Sequence, residues 1–185
     1  AKKAETEEPM QQKQFLVKEN KKIAKNTYQI ILLGDCSAIK KSGQFVNIKI
    51  EGFFLRRPIS VCDAEENRLT LIYKTVGKGT SLLAEAQPGD KFDLLTGLGN
   101  GYDTAKSGAS PLLVGGGAGV PPLYNLCKRL IAEGKKPTVI LGFNAKDEIF
   151  YEPEFSALGA SVIVTTVDGS YGKKGFVTDA FAETD

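Results

Sequence analysis

The chain has 185 residues, 24 basic and 22 acidic, for a net charge of +2, and 42% of it is hydrophobic. That supplies a core for one large domain or two small ones, and the balanced charge gives no electrostatic case for nucleic acid or an anionic membrane surface. There is no histidine, which excludes His-based triads, zincin motifs and imidazole relays and leaves catalysis to carboxylates or a bound cofactor.

Residues 1–11 are charged and poor in apolar side chains, and are expected to be a disordered start. From residue 12 to 105 the pattern is short β-rich runs bounded by turn residues: 14–18, 27–33, 44–50, 58–63, 68–76 and 91–96. One helix, 80–86, interrupts them, and Pro88-Gly89-Asp90 reads as a turn. Six short strands of this kind predict an antiparallel Greek-key barrel. Residues 106–110, Lys-Ser-Gly-Ala-Ser, read as a linker. Beyond them the rhythm becomes strand 111–114, helix 122–133, strand 138–143, helix 152–158, strand 161–167 and the start of a helix at 177–181. Alternation of strand and helix predicts a parallel α/β domain over 106–185. It has room for about three strands, few for a doubly wound sheet, so this domain reads as incomplete at its C-terminal end.

Four stretches carry chemistry. The first is Gly115-Gly116-Gly117-Ala118-Gly119, between a buried strand and a helix opened by Pro121-Pro122. Bare backbone at a helix N-terminus admits a phosphate. It is not the Rossmann fingerprint, because Val120 occupies the third glycine position and no acidic residue closes the next strand. The second is Arg56-Arg57-Pro58-Ile59-Ser60, where one arginine beside a proline-stiffened strand can clamp a pyrophosphate and Ser60 can set a hydroxyl at a flavin ring edge. The third is Lys74 through Ser81, where Gly77 and Gly79 free the backbone and Thr80 or Ser81 suits a helix N-cap. It flanks the same hairpin as the arginines, so both can face one pyrophosphate. The fourth is Asp168-Gly169-Ser170-Tyr171-Gly172, beyond a parallel strand. Asp168 can accept from ribose hydroxyls and would repel a 2′-phosphate. A further glycine-rich loop, 97–102, either only crosses between domains or lines their cleft with Asn100 and Tyr102.

Cys36, Cys62 and Cys127 are scattered and form no CxxC, so no metal or iron–sulfur site is visible; reduced thiols and a cytoplasmic location are expected. No apolar run approaches the length of a membrane helix, and no apolar signal segment opens the chain.

These stretches together make the chain resemble the ferredoxin–NADP reductase superfamily. Within it, RRPISVCD, LIYKTVGKGT, GGGAGVPPLYNLCKRL, LGF and VDGSYGKKGFVTD are similar to the electron-transfer subunits of NAD-dependent dihydroorotate dehydrogenase, from about residue 13 onward. The resemblance implies FAD on the barrel: Arg57, Pro58, Ile59 and Ser60 at the pyrophosphate and flavin, Ile72, Tyr73 and Lys74 along the flavin and ribityl chain, Gly79 and Thr80 capping the pyrophosphate. It implies NAD(H) over Gly115, Gly116, Gly117, Ala118 and Gly119 and near Asp168 and Gly169, with no catalytic side chain, since the chemistry belongs to the cofactors. In the family, electrons pass through a [2Fe-2S] cluster to an FMN-containing catalytic subunit in a heterotetramer that oxidises dihydroorotate for pyrimidine synthesis. The family's downstream Cys-Gly-Pro segment and its four cluster cysteines are not in this sequence, and none of the three cysteines inherits that role. Two other readings stand beside this one: the related subunit of NADH-dependent ferredoxin–NADP reductase or sulfide dehydrogenase, and a non-catalytic flavin-loaded docking module.

Overall fold

The computed structural model describes residues 10–183. The expected disordered start falls largely outside the described residues; Gln11 is already in a strand. Gln11–Ala24 (β1), Thr27–Leu33 (β2), Phe45–Ile48 (β3), Arg57–Glu65 (β4), Arg68–Lys74 (β5) and Lys91–Leu98 (β6) close into an antiparallel barrel in the order β1-β2-β5-β4-β3-β6. Period-two alternation sends Phe15, Val17, Ile30, Leu32, Val46, Ile48, Leu69, Leu71 and Leu94 into one buried core.

β1 runs six residues beyond its expected end. Residues 19–24 pair with β2 as a hairpin turned by Asn26 in the left-handed region at φ 52°. They are mostly solvated, so Lys-Glu-Asn-Lys-Lys shows no apolar alternation to read. The helix expected at 80–86 is Lys78–Leu83 (α1), with Gly77 at its N-cap. Thr80 therefore sits inside the first turn and reaches back rather than capping, which corrects the sequence expectation.

The second half is a four-stranded parallel sheet whose strands lie in the reverse of their chain order. Its elements are Leu112–Gly116 (β7), Pro121–Ala132 (α2), Thr138–Phe143 (β8), Glu152–Ala157 (α3), Ser161–Thr166 (β9) and Lys173–Lys174 (β10). β10 adds a fourth strand beside β9 to the three expected, since two lysines carry no apolar signal. The expected last helix is a 3-10 segment, Val177–Glu183. α2 and α3 lie between the sheet and the barrel. Leu123, Leu126, Cys127, Leu130 and Phe155 share a core with Val139 and Leu141 of β8 and with Cys62 and Ile72 on the outer face of β4 and β5. β4 and β5 are thus buried on both faces, which is why Leu-Ile-Tyr in β5 reads as a continuous apolar run. The Gly97–Tyr102 loop packs back on the barrel. Tyr102 donates its N–H to the Ser42 carbonyl, and its ring fills the space a Cβ on Gly43 would need.

The three cysteines form no disulfide and are buried. Among the described residues no helix is long and apolar enough to cross a membrane.

Candidate nucleotide-binding cleft

The barrel half of the site begins at the two arginines, which the fold treats differently. Arg56 turns inward: its guanidinium pairs with Asp93 at 2.6 Å and donates to the Asp93 carbonyl at 3.0 Å, tying the residue before β4 to β6 across β3. Arg57 has no carboxylate partner among the described residues. It donates to the Leu55 carbonyl, lies over the Phe53 ring at 5.0 Å, and rests against Gly79, where a Cβ would stand 2.7 Å from its Nε. Glycine at 79 is therefore the condition for Arg57 to sit there. Gly79 itself is buried, and the turn before it, residues 76–78, is exposed; a pre-positioned guanidinium beside that turn is the donor set a pyrophosphate needs.

Pro58 and Ser60 follow on one face of β4, while Ile59 points into the barrel core. Tyr73 is also inside, its hydroxyl donating to Asn20 Oδ1 at 3.0 Å, and burial pushes its pKa up. Ile72 faces the other way, into the core shared with the second lobe. Ile59 and Tyr73 can thus meet a ligand only through their backbone. Thr80 Oγ1 accepts from the N–H groups of Val76 and Gly77 and donates to the Gly77 carbonyl. That hydroxyl is engaged in shaping its own turn.

In the second lobe, the glycine turn leaves β7 as a 3-10 turn, Gly117–Gly119, with Gly117 at φ 51°. A Cβ on Gly115 would stand 2.8 Å from the Gly119 carbonyl oxygen and 2.7 Å from Leu123, so this turn closes only with glycine there. Gly116, Ala118 and Gly119 are exposed. α2 begins at Pro121 with Pro122 next, so its first two positions have no N–H to offer. An anion here is met by the amides of the glycine turn itself, with the dipole of a 12-residue helix behind them.

A cavity of about 330 Å³ opens at the carboxyl ends of β7, β8 and β9, where open parallel sheets bind ligands. Lys74, Gly116, Gly117, Asn144, Glu148 and Thr165 line it. The fold thus brings one barrel residue from the predicted set against two from the glycine turn; Lys74 Nζ comes 3.8 Å from where a Cβ on Gly117 would be. Arg57 and Gly79 form a second cluster on the barrel. Asp168 and Gly169 lie on the neighbouring loop, where the Asp168 carboxylate accepts from the N–H and hydroxyl of Ser170, which hold its pKa below the usual range.

Three residues of the cavity were not singled out by sequence. Glu148 pairs with Lys74 at 2.8 Å and accepts from Asn144 Nδ2; the Lys74 hydrogen bond, foremost, depresses its pKa. Thr165 is fully buried and its hydroxyl has no hydrogen-bond partner among the described residues, an unspent donor beside the cavity. The only sequence signal for these residues was their position at or just past the carboxyl ends of strands 138–143 and 161–167.

The bare turn, Arg57 without a carboxylate partner among the described residues, and a largely apolar cavity with a few polar groups at its wall fit a dinucleotide and a flavin. They do not fit an iron–sulfur cluster: the chain's three cysteines fall short of four thiolate ligands, and among the described residues no three metal-ligating side chains gather.

No protein-family model matches the chain. Curated relatives do. The chain is 48% identical over 178 residues to the dihydroorotate dehydrogenase B (NAD(+)) electron transfer subunit of Bacillus mycoides (strain KBAB4), covering 92% of this chain and 68% of the relative. It is 47% identical over 182 residues to the protein of the same name from Geobacillus sp. (strain WCH70), covering 94% and 70%. Among solved structures, that of an NADH-dependent reduced ferredoxin-NADP oxidoreductase superposes with a TM-score of 0.82 at 33% identity, over 91% of this chain and 62% of that one. The ferredoxin reductase of carbazole 1,9a-dioxygenase, at 18% identity, TM-score 0.83, and coverage of 95% and 57%, shares the fold.

Proposed function

The chain belongs to the family of dihydroorotate dehydrogenase B (NAD(+)) electron transfer subunits, and from that premise we propose that its two lobes hold FAD and NAD(H) across the Lys74–Gly117 cavity so that a hydride passes between them. The chain is an oxidoreductase subunit with flavin and nicotinamide cofactors.

The flavin, once bound, supplies the electron-accepting chemistry. The protein's part is binding and orientation. Arg57 clamps the FAD pyrophosphate, and Gly79 gives both the guanidinium and the ligand room. Pro58 and Ser60 edge the ring, with Ile59, Ile72 and Tyr73 contributing strand backbone or walls. Thr80 keeps the 77–80 turn in shape. Gly115, Gly116, Gly117, Ala118 and Gly119 take the NAD pyrophosphate on bare amides. Asp168, held ionised by Ser170 and next to Gly169, accepts from a ribose hydroxyl and repels a 2′-phosphate, which favours NAD over NADP. Reacting atoms must come within roughly 3–3.5 Å, so the gap between the lobes is part of the mechanism. No side chain need exchange a proton with substrate, which agrees with the missing histidine.

The observation that carries this reading is the placement of Lys74, from the barrel, against the glycine turn of the other lobe. The relatives' shared name implies a catalytic partner subunit. We infer that this partner carries FMN and oxidises dihydroorotate, and that the onward path runs through a cluster held by residues other than these. The relative identities, 48% against 33%, favour this family over the ferredoxin-NADP oxidoreductase reading. The test is reconstitution: the purified chain should bind FAD at about one equivalent, and NADH should reduce it faster than NADPH. Faster reduction by NADPH rejects the role of Asp168.

A further inference from the structure

The segment that follows β8, residues 144–151, touches both halves of the site. Toward the barrel, the Asp147 carbonyl accepts the Lys25 N–H at 2.8 Å, the Asp147 carboxylate pairs with Lys25 at 3.0 Å, Glu148 pairs with Lys74 at 2.8 Å, and the Tyr151 hydroxyl donates to Gln29 Oε1 at 3.2 Å. Toward the nucleotide loop, the Asn144 carbonyl accepts the Asp168 N–H at 3.1 Å and the Lys146 N–H donates to Ser170 Oγ at 2.8 Å. Tyr151 holds φ 67°, in the left-handed region that aromatic residues avoid. Such a conformation persists where the surroundings over-determine it; here Tyr124 packs on the ring at 5.0 Å and Phe150 at 6.2 Å.

Exposure decides which contact matters. The Lys25 and Asp147 side chains are 55% and 57% exposed, and such surface pairs contribute little. Lys74 and Glu148 are 24% and 16% exposed, at the cavity wall, and Asn144 fixes the carboxylate from its other side. The shared core of α2 and α3 joins the lobes away from the cavity. At the cavity itself, the Lys74–Glu148 pair spans the gap.

We propose that Glu148 is a positioning residue for hydride transfer: by holding Lys74 across the cavity it sets the spacing of barrel and nucleotide lobe, and through residues 144–146 it ties that spacing to the Asp168 loop. The inference rests on the function proposed above. The step it serves breaks one C–H bond of the dihydronicotinamide and moves two electrons and a proton to the flavin; NADH is oxidised, the flavin reduced, and a second proton comes from water.

The test is Glu148→Gln, close in shape and uncharged, in the FAD-reconstituted chain mixed anaerobically with NADH. The limiting rate of flavin reduction should fall about 10- to 100-fold, the size expected of a misplacement near 1 Å. Half-saturation by NADH should shift less than about threefold, because both Glu148 oxygens are already engaged by Lys74 and Asn144. A cofactor-free readout accompanies it: hydrogen exchange at the Lys25 amide should accelerate in the ligand-free variant. An unchanged limiting rate, or a loss confined to half-saturation, overturns the inference, and so does unchanged exchange at Lys25. A wild-type chain that binds FAD and is not reduced by NADH overturns the functional reading instead, and the exchange measurement still decides whether Glu148 couples the lobes.

Discussion

Gly79→Ala separates binding from folding at a single methyl group. The new Cβ would stand 2.7 Å from Arg57 Nε, 3.1 Å from Nη2 and 3.2 Å from Cζ. Against an optimum of about 3.5 Å, the closest contact is about 0.8 Å short. No backbone atom is among these neighbours, so the guanidinium yields and the fold does not. Position 79 is the second residue of α1, where alanine is a better helix former than glycine by about 1 kcal/mol. Stability should therefore hold or rise slightly. A displaced Arg57 loses a charge-assisted hydrogen bond to the FAD pyrophosphate, about 1.5–3 kcal/mol, which is about 10- to 100-fold in Kd. Titrating apo-protein with FAD by fluorescence quenching, beside thermal unfolding without ligand, reads both signs. If Gly79→Ala binds FAD as tightly as wild type, the assignment of Arg57 to the pyrophosphate is wrong.

The two arginines should part company. Arg57→Ala should weaken FAD binding and leave unfolding nearly unchanged, whereas Arg56→Ala, which strands a shielded Asp93, should cost about 1–3 kcal/mol of stability in urea denaturation. Gly116→Ala meets no atom nearer than the Gly142 carbonyl at 3.6 Å, so it should fold normally and bind NADH about tenfold more weakly, because its methyl group stands where the nucleotide approaches. Gly115→Ala forces backbone apart at Gly119 and should lose both NADH binding and stability, read by calorimetry and unfolding midpoints. The pH dependence has a definite sign at Glu148. Its folded pKa is depressed, chiefly by the Lys74 hydrogen bond, so its contribution to stability is present above the ordinary glutamate value of about 4.3 and fades as pH falls through the lowered one. Glu148→Gln should be less stable than wild type at neutral pH, with the difference narrowing as pH falls below the ordinary glutamate range; a difference independent of pH contradicts the ion pair.

Much of the architecture was legible because burial and period agree. β2 and β5 alternate toward the barrel core, and β8 is apolar throughout because the sheet is covered around it. The glycine turn was legible because four glycines in five residues suit few other purposes. What stayed hidden depends on distant partners. Nothing local separates Arg56 from Arg57; Asp93 does, from 37 residues away. Glu148 looks like a solvated acid in Lys-Asp-Glu until the fold brings Lys74 to it, 74 positions distant. The second half of β1 and all of β10 are lysine-rich and solvated, so their strand character comes from pairing alone. Tyr151 in a left-handed conformation has no sequence signature, because its cause is the packing around its ring.

The central claim is that the cavity between Lys74 and the glycine turn is where a nicotinamide faces a barrel-bound flavin. It is tested most directly by adding NADH without oxygen to the FAD-loaded chain and following the flavin's visible absorption. The account predicts rapid bleaching that Gly116→Ala slows and that Gly79→Ala shows only at about 10- to 100-fold higher FAD. A chain that holds FAD firmly and keeps its full colour under excess NADH contradicts it.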